Sequence, residues 1–299
     1  PGLTLDPLQS QGSLSLSNDG KLLLAVNAAS GTLTAFVVNS TGISFGSKMS
    51  SAGALPVSVT DFGGLVYVLN QLGSPSIVGF TVDGSGHLQR ISGSSRGLAG
   101  GALSQPAQVS FTPDGKKLLV TEKGTDLIDV FDVHGNGLTS TQPAEPSSGH
   151  TPFGFAFGPS NTLVVTEAGR RFPNAATVSS YTVDSGLSSV SPAVADGQTA
   201  ACWVTVVGNT AYVVNTGTAD ISAYSVDASG HLSLANAVAA STGADTSPID
   251  LAASSDGQFV YVLKSATGSV AGYRVNGDKL DFMFEKTGLP LSIQGIAAR

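Results

Sequence analysis

The sequence predicts an all-β propeller of four-stranded blades, on three observations. One cassette recurs at intervals of 45 to 50 residues, turn signals divide each copy into short apolar runs, and no helical period is sustained anywhere. Composition agrees, because only 12% of the 299 residues are charged while 37 are glycine. Solvent-washed helices laced with ion pairs need far more charge, and hairpins need the glycine.

The cassette begins with a short apolar strand and a turn that often carries Asp-Gly. A second strand follows, ending in Asn, Glu or Lys, then a Gly/Ser turn, a third strand and a polar-flanked fourth. The best copies read S-L-S-L-S-N-D-G-K-L-L-L-A-V-N from Ser13, Q-V-S-F-T-P-D-G-K-K-L-L-V-T-E from Gln108 and D-L-A-A-S-S-D-G-Q-F-V-Y-V-L-K from Asp250. Alignment starts the first strands at Gln11, Pro56, Pro106, Pro152, Ala201, Pro248 and Ile293. Third strands are expected at 33–38, 77–82, 127–133, 178–183, 221–226 and 270–275. Two of them run into near-identical turns, Asp83 to Leu88 and Asp227 to Leu232, so His87 and His231 read as turn residues.

A lone four-stranded sheet cannot bury both faces, whereas sheets packed radially bury one another and leave few open edges. The whole chain, 1–299, therefore reads as a single propeller domain. Six full cassettes run from Gln11 to Gln294, and 295–299 looks like the first strand of a seventh. We expect seven blades with the last incomplete in this chain, its missing strands supplied by a separate N-terminal fragment. A closed ring of six blades is the alternative.

Several function classes are excluded. A net charge of −7 with 14 basic residues leaves no patch for nucleic acid. No apolar run approaches the roughly 20 residues of a membrane-spanning helix. One cysteine, Cys202, and four scattered histidines give no metal-ligand spacing, and no glycine-rich phosphate loop is present, so neither metal nor cofactor is expected. The chain opens on Pro1 and is rich in Ser, Thr, Gly and Ala, which suggests a removed leader and secretion.

At these cassettes, and at Phe111-Thr112-Pro113-Asp114-Gly115-Lys116 in particular, the sequence resembles the lactonase-type seven-bladed propellers. That group holds 6-phosphogluconolactonase-like proteins and carboxymuconate-cyclizing enzymes. The resemblance implies the fold and a small-molecule substrate. It also implies histidines at the start of one first strand, where this chain reads Gln105-Pro106-Ala107-Gln108, and an Arg and His at the next, where it reads Pro152-Phe153-Gly154. The family's glutamate survives as Glu167.

In a blade the second strand ends on the face where the first begins, so both sets of residues should surround one channel mouth. Glu122 and Glu167 place carboxylates where other blades place amides, and we expect them to act as an acid/base pair. Phe153 and Trp203 would supply an apolar wall, with Gln108, Asp250, Arg170 and Lys264 orienting the substrate. The function expected is a ring-forming or ring-opening step on a partly hydrophobic small molecule at that mouth. The alternatives are a non-catalytic extracellular binding module and a lactone hydrolase.

Overall fold

The computed structural model describes residues 6–299. The chain is an all-β propeller, and its described residues fall into two compact units, 10–146 and 6–9 with 147–299. Each unit carries three antiparallel sheets, and every sheet runs first, second, third, fourth strand in chain order.

In the 10–146 unit, blade 1 comprises Leu14–Leu16, Leu22–Asn27, Thr32–Asn39 and Gly42–Ser50. Blade 2 comprises Ala54–Phe62, Leu65–Leu72, Ser76–Val82 and Leu88–Arg90, and blade 3 Pro106–Phe111, Lys117–Glu122, Leu127–Val133 and Thr139–Thr141. Short strands Arg96–Gly97 and Glu145–Pro146 extend blades 2 and 3 by pairing with their third strands. The other unit holds blade 4 (Pro152–Phe157, Leu163–Glu167, Thr177–Val183, Leu187–Ala195) and blade 5 (Ala201–Val207, Thr210–Asn215, Asp220–Val226, Leu232–Ser241). Its blade 6 comprises Pro248–Ala253, Phe259–Lys264, Ser269–Asn276 and Lys279–Lys286.

Local chemistry sets the turns. In the first hairpins of blades 1, 3 and 6, a hydroxyl donates to an aspartate two residues on: Ser17 to Asp19 at 2.7 Å, Thr112 to Asp114 at 2.7 Å and Ser254 to Asp256 at 2.6 Å. The same carboxylates accept the amides of Lys21, Lys116 and Gln258, which fixes the loop before the second strand starts. Asp83 and Asp227 do the same in the 83–88 and 227–232 turns, where the amides of His87 and His231 donate to them. The histidines there are turn residues, as the repeat suggested.

Alternate residues of neighbouring blades fill the core. Leu24, Leu33, Val59, Val68, Val78 and Phe80 form one cluster between blades 1 and 2, and Val164, Val178, Val204, Val213 and Tyr224 form another between blades 4 and 5. Tyrosine hydroxyls tie neighbouring blades at matching places, Tyr67 to the Gly137 carbonyl at 2.7 Å and Tyr212 to the Gly277 carbonyl at 2.5 Å. Blade 1 opens at Leu14 rather than Gln11, because the Gln11 amide donates to the Ala107 carbonyl and Gly12 turns at φ 77°.

Six blades are present among the described residues. Residues 293–299, expected as the inner strand of a seventh, are not in a strand; the Ile296 amide instead donates to Asp250 Oδ2 at 3.3 Å.

Candidate functional site

A repeated backbone device builds the mouth of the 147–299 unit. The residue just before the first strand is left-handed in one blade after another, although it is not glycine: Thr151 (φ 61°), Ala200 (φ 61°) and Ser247 (φ 46°). Gln9 (φ 50°) and Ser292 (φ 59°) share this conformation. Left-handed backbone in such residues costs about 1–2 kcal/mol each and persists where the surroundings hold it. Inside the first strands a bulge follows, at Cys202 in blade 5 and Asp250 in blade 6. A bulge re-aims side chains, and in blade 5 it lets the consecutive residues Cys202 and Trp203 both line one cavity.

That cavity has a volume of about 440 Å³, within the range of small-molecule sites. Trp203 and Cys202 form its apolar wall with Ala200, while Thr199, Thr216, Gly217 and Ser247 supply small polar edges. Asp6, Gln9 and Arg171 bring the longer polar side chains. Trp203 is held from behind by Phe153, with ring centroids 4.9 Å apart at 60°. The Cys202 carbonyl accepts a hydrogen bond from Thr166 Oγ1 at 2.9 Å.

Arg171 is the distinctive group. It is exposed, and its guanidinium has no hydrogen-bond or ion-pair partner among the described residues. The 168–176 loop that carries it is anchored at both ends: the Ala168 amide donates to the Thr151 carbonyl, and the Ala176 amide to the Gln198 carbonyl. The Asn174 amide donates to Thr199 Oγ1 at 3.1 Å. Arg170 and Arg171 both adopt left-handed backbone, at φ 53° and 60°. Asp6 accepts the Gln9 amide at 2.8 Å, so a carboxylate and a cation share one lining.

The residues singled out from sequence fall in both units. Gln108 and Glu122 belong to the 10–146 unit; Phe153, Glu167, Arg170, Trp203, Asp250 and Lys264 belong to the other. Of the eight, Trp203 lines the cavity and Phe153 stands behind it. Arg170 turns to His150, Nη2 to Nδ1 at 3.3 Å, and its neighbour Arg171 takes the lining position.

The second-strand ends are taken up by their own third or fourth strands and by the loops that precede their blades. Glu167 is fully buried and accepts from Ser147 Oγ (2.9 Å), the Gly149 amide (2.8 Å), Ser179 Oγ (2.6 Å) and Thr177 Oγ1 (2.5 Å). Glu122 accepts from the Gly100 amide at 3.0 Å and from Thr125 Oγ1. Asn27 and Asn215 reach third-strand hydroxyls, and Lys264 forms a 2.8 Å ion pair with Glu285. Lys264 and a hydrogen bond from Ser269 hold the Glu285 carboxyl below its usual range.

Asp250, at φ 56°, accepts the Leu251 and Ile296 amides, and burial pushes its carboxyl up to about 7. The sequence offered a signal for Arg171, since its loop is long. It offered none for Asp6, Gln9 or Thr199, which lie outside the cassette strands.

Residues 64–196 and 102–286 match the family described as Lactonase, 7-bladed beta-propeller. No curated protein matches the chain. Among solved structures, a Lactobacillus plantarum protein superposes with a TM-score of 0.76 at 22% identity, covering 93% of this chain and 84% of that one. A candidate 6-phosphogluconolactonase from Bacteroides fragilis gives 0.73 at 20% identity, with coverage of 93% and 84%. A Pseudomonas aeruginosa periplasmic gluconolactonase gives 0.69 at 17%, with coverage of 93% and 85%. At such identities the likeness speaks to the fold alone.

Proposed function

The chain belongs to the Lactonase family of seven-bladed β-propellers, and from that premise we propose that it hydrolyses a lactone bound in the Trp203–Arg171 cavity. The observation that carries the reading is the meeting of an unpartnered guanidinium, a carboxylate and an aromatic wall in one cavity of suitable size. Of the ring-forming and ring-opening steps expected from sequence, opening by water is preferred, since the Bacteroides and Pseudomonas relatives bear lactonase names.

In this reading the lactone ring lies against the apolar wall of Ala200, Cys202 and the edge of Trp203, and the Arg171 guanidinium faces the carbonyl oxygen, where negative charge grows as water adds. Asp6 takes the proton from the attacking water. The ring C–O bond then breaks, and the alkoxide leaves with that proton as a hydroxyl. The product is a hydroxy acid, which ionises and releases one proton overall. Glu167, surrounded by donors from its own third strand and from the 147–149 loop, has no part in these steps.

The test follows proton release with glucono-δ-lactone and its 6-phosphate above the spontaneous rate. Arg171→Ala should lower kcat/KM at least about 100-fold, as loss of an oxyanion donor does, while Arg170→Ala leaves it within a few-fold. Full turnover by Arg171→Ala would sink the proposal, as would the absence of any rate above background with either lactone.

We also propose a seventh blade whose inner strand comes from 293–299, residues that pair with no strand among those described. The family's blade number supports this, as does the left-handed Ser292 at the register that precedes the other first strands. Amide exchange in 293–299 as slow as in the first strand of blade 6 would agree with it, and exchange at the rate of free chain would overturn it.

A further inference from the structure

We infer that the outer strand of blade 6, Lys279–Lys286, is a pairing edge for a second copy of this chain. It is the last strand of its sheet, so one row of its backbone donors and acceptors faces outward. Three successive large apolar side chains stand on it in the open: Phe282 is 61% exposed, Met283 47% and Phe284 49%. The cause is local. Phe282 pairs with Tyr273 and Phe284 with Gly272, which leaves Met283 as the extra residue of a bulge, so the usual alternation fails.

The other outer strands lack this combination. That of blade 1 contains Gly42 and Gly46, that of blade 4 is interrupted by Pro192, and that of blade 5 is alanine-rich. Those of blades 2 and 3 are three residues long. Lys279–Lys286 has eight residues with neither glycine nor proline.

Charge chooses the occupant. The run Asp281-Phe282-Met283-Phe284-Glu285-Lys286 carries an acid at one end and a base at the other. Laid antiparallel on itself about a two-fold between Met283 and Phe284, it sets Asp281 opposite Lys286 of the second copy, twice. Met283 then meets Phe284 of the second copy at the centre. An isologous contact of this kind is self-complementary and closes at two copies. The Asn276 amide group, 3.0 Å from Asp281 Oδ2, holds that carboxylate near the edge.

Sedimentation of the full chain over a wide concentration range tests the inference. The expected result is a reversible dimer that Met283→Lys abolishes, with the circular dichroism of the monomer unchanged. Asp281→Lys and Lys286→Asp should each weaken self-association about tenfold or more, as like charges then face each other. Mixing these two variants should yield a heterodimer, and combining both changes in one chain should restore the homodimer. A monomer at every concentration, a dimer indifferent to Met283→Lys, or a mixture that does not associate would each overturn it. None of these readings depends on lactone turnover.

Discussion

Glu122 and Asp129 meet carboxyl to carboxyl inside blade 3, both fully buried. Burial first, then the neighbouring Glu122 carboxylate, pushes Asp129 up to about 8. The folded protein therefore keeps a proton that the unfolded chain gives up near pH 4. Stability should fall as pH rises through the window from about 4 to about 8, by up to about 1.4 kcal/mol per pH unit. Asp129→Asn, which keeps a donor towards Glu122, should remove one proton's share of that slope. Urea unfolding at several pH values measures it; identical slopes in the two proteins would refute the shared proton.

Asp250 should add a second share in the same direction. Burial raises it to about 7, so its contribution is complete below about pH 4 and is lost as pH climbs through 7. Asp250→Asn should remove one proton's share of the slope between about pH 4 and 7 and leave Asp129's share in place. A profile unchanged below pH 7 would count against it.

Glu167 is predicted to matter for stability. Gly149 lies so close that an added Cβ would stand 2.2 Å from Glu167 Oε2. Gly149→Ala should push the carboxylate out of its donors, and Glu167→Ala should leave several buried donors unpaired, each at about 1–3 kcal/mol. Thermal unfolding would register both as a large drop in Tm. A Glu167→Ala protein with unchanged Tm and no activity would reverse the assignment and make it a reacting group.

Trp203, the chain's one tryptophan, should report on the cavity directly. It is 1% exposed and packs at a tilt against Phe153, so its emission should be blue-shifted and should change on lactone binding. Phe153→Ala should cost about 3–5 kcal/mol of stability and shift that emission to the red. Emission indifferent to a saturating lactone would place the ligand elsewhere.

Thr199 should act on KM rather than kcat. Its hydroxyl accepts the Asn174 amide and so steadies the arginine loop. Thr199→Val removes a bond worth about 1 kcal/mol, and KM should rise about five-fold with kcat nearly constant. An equal fall in kcat would mean that the loop shapes the transition state instead.

Much of the blade architecture was legible because turns write themselves in short code. Asp114-Gly115 and its counterparts mark the first hairpins, and the third strand of blade 3 spans the expected 127–133. The fourth strands were harder, since one face meets water and bulges break their period. Trp203 could be placed because a repeat assigns positions. The direction of Glu122 and Glu167 could not, because it depends on amides and hydroxyls that arrive from loops outside the cassette, such as 99–100 and 147–149. Arg171 displaced Arg170 through backbone twist, which residue type alone does not reveal.

The twisted backbone beneath Arg170 and Arg171 has an evolutionary consequence. Glycine or asparagine would sit there more comfortably, so a population selected for heat tolerance alone should drift towards them. Each such step at position 171 would also erase the cation. Parallel laboratory lineages, one fed only on a lactone and one on the opened acid, would therefore diverge at this loop, and the arginine would endure where it is used.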